Sequence, residues 1–235
     1  MTLAFIFFDP IYFLFLAPGL ALSLWASWLT KSTFNKYKEI PGSKGLTGAQ
    51  AAQIMLERNN VHGLRIEVSQ GFLSDHYNPA TRSLHLSPDV YHGRSLSAIG
   101  VACHEAGHAL QHAQSYALLG FRSLIVPAVG FSDNFSYIII FAGMFMHSKT
   151  LMIAGCILFA VTTLFTIITL PVEWDASARA KVAMERAGLV SGPEAQHAGK
   201  VLNAAFLTYL AAAVSSILTL VYYLLRSGLL GGDDD

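Results

Sequence analysis

The sequence predicts a polytopic α-helical membrane protein with about four transmembrane helices and a small α+β soluble domain. Three observations predict it. Hydrophobic residues make up 53% of the 235 residues and charged residues only 13%, against about 25% charged in soluble domains. Four apolar stretches reach the roughly 20 residues that crossing a bilayer requires. Lys and Arg are concentrated in two of the polar segments between those stretches, an asymmetry that sets membrane orientation.

Residues 1–30 read as the first transmembrane helix, apolar from Leu3 to Leu29. Asp9-Pro10 and Pro18 predict a kink or a late start. No basic n-region precedes it, so the helix is expected to stay uncleaved. Residues 31–117 form the soluble segment. Within it, Leu46 to Glu57 has a 3.6-residue apolar repeat with Thr47 as N-cap. Leu64 to Val68, Phe72 to Tyr77 and Ser83 to Leu86 read as strands of a small antiparallel sheet. The last two flank the turn-forming Asn78-Pro79. Ser95 or Ser97 starts a helix running to about Tyr116.

Residues 118–171 read as a transmembrane hairpin, Leu118 to Met146 and Leu151 to Leu170, turning at His147–Thr150. Asp133-Asn134 reads as the cap of a helix restarting after a break near Gly130. The alternative is a functional acid within the membrane. Residues 172–200 read as a helix begun by Pro171. Residues 201–235 supply the last transmembrane helix, Leu202 to Leu225, and the acidic tail Asp233-Asp234-Asp235.

The formal net charge is zero, which leaves no electrostatic footprint for nucleic acid. The two cysteines, Cys103 and Cys156, build neither a disulfide framework nor a thiolate zinc site. Lys31, Lys36, Lys38, Lys44, Arg58, Arg65, Arg82 and Arg94 lie between the first two spans. Arg179, Lys181, Arg186 and Lys200 follow the third. Both segments are therefore expected on the cytoplasmic side. The hairpin returns the residues after the third span to the side of those before the second.

His104-Glu105-Ala106-Gly107-His108 is an HExxH sequence. Residues i and i+4 share a helix face, so two imidazoles can grip one metal ion. Zinc binds such nitrogens at about 2.0–2.1 Å and lowers the pKa of a bound water to about 7. Glu105, between the histidines, is placed to take that water's proton and pass it to a leaving amine. The bland alternative is a solvated helix with two ordinary histidines.

A catalytic zinc usually takes three protein ligands. His112 lies about 12 Å along the helix axis from His104, too far to join both other histidines on one ion. It is a candidate for supporting the site instead. Glu173, directly after the third span, is favoured as the third ligand, with Asp175 as a partner orienting a ligand histidine. The competing reading of both acids is the acidic first turn of a helix. Arg179 could pair with Asp175 at i+4 or stabilise an oxyanion. His76 is a further candidate near the cleft, against a structural role in a hairpin.

Beyond the motif, Ser74-Asp75-His76-Tyr77-Asn78-Pro79, Val90-Tyr91-His92-Gly93-Arg94-Ser95, the HEAGHALQHA run from His104, Arg122-Ser123-Leu124, Val126-Pro127 and Leu170-Pro171-Val172-Glu173 carry a resemblance. Over about Thr47 to Leu225 the chain resembles the YugP-like family of bacterial membrane zinc metallopeptidases. That resemblance implies a zincin-like (minigluzincin) cytoplasmic domain in a bacterial inner membrane and one zinc ion. It also implies His104, His108 and Glu173 as ligands, with Glu105 catalytic. Membrane gluzincins of the CaaX-processing type carry an acid four residues after the ligand Glu; Ser177 stands there here.

The expected function is hydrolysis of protein or peptide substrates at the membrane by a zinc metalloendopeptidase. The alternative is a non-catalytic zinc-binding scaffold or regulator, against which Glu105 counts. A transporter built on Asp133 has thinner support. An intramembrane protease of the site-2 type would need a later Asp in an NPDG-like context, which the sequence lacks.

Overall fold

The computed structural model describes residues 10–71 and 74–230. The start of the first apolar run, with Asp9, lies outside them, as does the acidic tail. Among the described residues, four helices are long and apolar enough to cross a membrane: α1 Pro10–Lys38, α5 Ala117–Phe145, α6 Lys149–Arg186 and α7 Gly192–Arg226. Between α1 and α5 lie α2 Gly48–Arg58, β1 Arg65–Val68, β2 His76–Asn78, β3 Ser83–Leu86, α3 Pro88–Tyr91 and α4 Leu96–Ala113.

Local chemistry sets the boundaries of the short elements. Thr47 caps α2 through a reciprocal capping box with Gln50, which satisfies two otherwise orphaned donors. Ser95, not Ser97, caps α4, its hydroxyl accepting from the amide of Ala98 at 3.2 Å. In the β2–β3 turn, Asn78 Oδ1 accepts from the amides of Ala80 and Thr81. Arg82 completes that turn with φ of 50°.

The sheet is mixed rather than antiparallel. Its order is β1-β3-β2, with β2 and β3 antiparallel and β1 and β3 parallel. The hairpin claims one side of β3 for β2. β1 takes the other side, running the same way as β3. The expected strand from Phe72 is shorter, beginning at His76; Phe72 and Leu73 are outside the described residues.

Two further expectations are corrected. α5 is continuous, so Asp133-Asn134 does not cap a restarted helix. Asn134 Nδ2 instead donates to the Gly130 carbonyl at 2.6 Å, and Asp133 accepts from the Thr162 hydroxyl at 2.7 Å. α6 likewise runs unbroken through Pro171, so no separate helix begins there. A proline removes one helical hydrogen bond, a loss that membrane helices tolerate where neighbouring groups compensate.

The chain divides into two compact units. One contains residues up to 25, 121–170 and 208 onward. Ile140, Cys156, Phe159, Tyr222 and Tyr223 are buried in its core. Leu14, Leu124, Ile138 and Phe145 are exposed, as suits side chains solvated by lipid rather than water. Thr163 and Ser216 hydrogen-bond to each other at 2.8 Å, so their hydroxyls are not buried unpaired.

The other unit contains residues 26–120 and 171–207. Its core joins Met55 and Leu56 of α2, Leu84 and Leu86 of β3, Ile99, Ala102 and Ala106 of α4, Met184 of α6 and Leu202 of α7. α4 is buried along most of its length. A helix so enclosed can hold polar side chains only where partners meet them.

Candidate metal centre

Within this second unit, α4 presents His104 and His108 one turn apart, and α6 presents Glu173. Close approach depends on Gly107. A Cβ there would stand 2.5 Å from the carbonyl oxygen of Ala176, so its absence lets α6 pack against α4.

The His104 and His108 Nε2 atoms lie 3.2 and 3.5 Å from the same oxygen, Oε2 of Glu173. The two rings are 4.9 Å apart and inclined at 79°. One donor atom from each of the three residues falls within 4.8 Å of the others. Donors at about 2.0–2.1 Å from a tetrahedral ion stand roughly 3.4 Å apart. The two Nε2–Oε2 separations match that spacing.

The far side of each ring is also engaged. Gln111 is fully buried. Its Nε2 donates to the Val172 carbonyl and to Asp175 Oδ2, both at 2.8 Å. Those two acceptors fix which end of the amide carries the hydrogens. Gln111 Oε1 then faces His108 Nδ1 at 2.9 Å, so Nδ1 must be the donor. Ser177 Oγ lies 3.1 Å from Nδ1 of His104.

With the proton on Nδ1, a neutral His108 turns the lone pair of Nε2 toward the Glu173 carboxylate. Two acceptors facing each other need a cation between them. Burial disfavours a charged His108, but hydrogen bonding and charge from Glu173, the charge of Glu105 and the Gln111 hydrogen bond together raise its pKa. The site thus favours positive charge at the point where the three donors converge.

Glu105 is 8% exposed and accepts no hydrogen bond among the described residues. Asp75 feels its charge: burial pushes the Asp75 carboxyl up, hydrogen bonds from the Ser87 amide and hydroxyl oppose this, and Glu105 raises it further.

Asp175 reaches His108 only through Gln111. Arg179 Nε donates to Asp175 Oδ2 at 2.5 Å, the i+4 pair. The guanidinium also reaches Gln114 and lies over the Tyr116 ring. His112 and His76 stand outside the donor cluster. His112 Nδ1 lies 2.7 Å from the Tyr77 hydroxyl of β2, and His76 stacks on His85 at 4.7 Å. Gln111 was not singled out from sequence. Its signal was available: a polar residue three positions after His108, on the same helix face.

Four apolar helices and a cluster of two imidazoles and one carboxylate, with His108 and Glu173 buried and His104 partly so, define a membrane protein with a zinc-type donor set. The sequence model of a family described as "Putative neutral zinc metallopeptidase" matches residues 12–228. The chain is 43% identical over 214 residues to the "Putative membrane protease YugP" of Bacillus subtilis (strain 168), covering 91% of this chain and 95% of that one. No solved structure matches. The chain belongs to the YugP-like family of neutral zinc metallopeptidases.

Proposed function

We propose that the chain is a membrane-bound zinc metalloendopeptidase. In this reading His104, His108 and Glu173 hold one zinc ion and Glu105 is the general base. The single observation that carries it is the convergence of both Nε2 atoms on one oxygen of Glu173, at 3.2 and 3.5 Å. Zinc, when bound, supplies a Lewis acid that makes water nucleophilic near neutral pH.

The rest falls to the chain itself. Glu105 takes the proton of the attacking water and returns it to the departing amine. Its carboxylate, buried and without a hydrogen-bond donor among the described residues, is available for both transfers. Gln111 and Ser177 hold the imidazoles so that Nε2, not Nδ1, points inward. β2 is an edge of the sheet and approaches α4 through Tyr77 and His112. An extended peptide could pair with that edge by its main chain. The Lys and Arg distribution supports a site on the cytoplasmic face of a bacterial plasma membrane.

The test is purified full chain in lipid nanodiscs, assayed with a casein-like substrate and by metal analysis. One zinc per chain and measurable cleavage are expected. Glu105→Gln should keep the zinc and lose roughly 10²–10⁴-fold in rate. Cleavage by Glu105→Gln as fast as wild type sinks the mechanism.

A further inference from the structure

A cavity of about 690 Å³ is lined by side chains of three long helices in the same compact unit as the metal centre. Its lining mixes two kinds of group. Lys36, Lys200 and Asn203 are polar or cationic, whereas Leu29, Trp174 and Phe206 are apolar. No acidic residue lines it among the described residues. Neither lysine forms an ion pair with a described carboxylate. A third cation stands behind Asn203, whose Oδ1 accepts from Lys181 Nζ at 2.6 Å.

Each helix enters the cavity where its apolar run meets polar sequence. Lys36 lies two residues before the end of α1, Trp174 follows the apolar run that ends at Leu170, and Lys200 precedes the run that begins at Leu202. All three helices are long and apolar enough to span. Trp174 is 60% exposed and meets Phe206 edge-on at 5.3 Å. An exposed Trp beside lysines at the end of a span is the composition of a membrane interface.

We propose that this cavity binds an anionic glycerophospholipid of the surrounding bilayer. Its phosphate would lie against Lys36, Lys200 and Asn203, and the start of an acyl chain along Leu29 and Phe206. Charge and shape both select this ligand. Lys36 lies over the Tyr37 ring at 5.6 Å, and lysines between membrane helices without a carboxylate partner attract anionic headgroups. A free anion would leave the apolar wall wet, and a zwitterionic headgroup brings a cation of its own into a basic pocket. Trp174 follows Glu173 in the chain, so the lipid would rest against the turn that carries the third donor of the metal centre.

The test places the full chain in bilayers of equal phosphatidylglycerol and phosphatidylcholine, extracts it in mild detergent and weighs retained lipid by native mass spectrometry. Wild type should retain phosphatidylglycerol over phosphatidylcholine. Lys36→Gln/Lys200→Gln should lower that retention roughly tenfold or more. Lys31→Gln/Lys44→Gln, which removes the same charge elsewhere, should leave it unchanged. Equal retention by the two double variants, or no preference between lipids, overturns the proposal. Lysine-dependent binding of inorganic phosphate without retained lipid overturns it too, because the occupant is then a free anion. As a second measurement, Trp174 fluorescence in a Trp25→Phe/Trp28→Phe background should be quenched by brominated phosphatidylglycerol. Absence of quenching contradicts the site.

Discussion

Gln111 Oε1 lies 2.9 Å from His108 Nδ1, and the amide that holds it there is anchored at Val172 and Asp175. One side chain thereby ties the imidazole of α4 to two positions of α6, on either side of Glu173. The donor set is oriented by the same packing that joins the helices.

Replacing Gln111 should therefore act on the metal before it acts on the fold. Gln111→Leu removes the acceptor for Nδ1 and leaves Val172 and Asp175 short of a donor. Metal affinity should fall 10–100-fold, the usual cost of losing a partner behind a ligand histidine. Competition with a zinc chelator measures it. Gln111→Glu keeps the acceptor, so affinity should recover in part although the donor side is lost. Equal affinity in wild type and Gln111→Leu would remove the orienting role.

Ser177 gives a second test on the other histidine. Its hydroxyl lies 3.1 Å from His104 Nδ1, at the position where CaaX-type enzymes carry an acid. A hydroxyl orients a ring less strongly than a carboxylate does. Ser177→Ala should weaken zinc binding severalfold, and Ser177→Asp should bind zinc at least as tightly as wild type. Weaker binding by Ser177→Asp than by Ser177→Ala would show that the position serves packing alone.

Much of this arrangement was legible in the sequence, for reasons that differ by residue. The His104–His108 pair follows from helical periodicity alone. The α2 boundary was readable because Thr47 caps a helix by local chemistry, and β3 because it follows the turn-forming Asn78-Pro79. Glu173 was reachable through topology, since a hairpin must return the chain to its starting side. What stayed hidden depends on partners distant in sequence. Which edge of β3 receives β1 is set by tertiary packing, so parallel pairing could not be read from three short strands. Asp133 looked like a cap because its partner, Thr162, lies on another helix. Pro171 looked like a helix start because propensity describes isolated helices, and α6 is not isolated.

Gly107 separates packing from chemistry. Gly107→Ala would place a methyl group 2.5 Å from the Ala176 carbonyl oxygen, and a backbone atom cannot step aside cheaply. Overpacking of this kind costs about 1–3 kcal/mol. Here it should also push the Glu173 helix from the histidines and weaken zinc binding. Gly120→Ala is the control, because a Cβ there meets nothing within 4 Å and alanine is the better helix former. Thermal unfolding and chelator competition on both variants should separate them. Matching behaviour would mean that the close approach at Gly107 is dispensable.

Metal removal tests the whole cluster through stability. An ion that binds only the folded chain stabilises it by about 4 kcal/mol when its concentration is a thousandfold above Kd. For a chain of this size that corresponds to a shift in Tm on the order of 10 °C. Wild type should lose that increment in chelator and regain it with added zinc. Glu173→Ala should start lower and respond to neither. The 2%-exposed carboxylate fills space that alanine leaves empty, and the two imidazoles are left with no third donor. Glu105→Gln should respond to zinc as wild type does, because its side chain is assigned to the proton and not to the ion. A full zinc response in Glu173→Ala would show that another group completes the site.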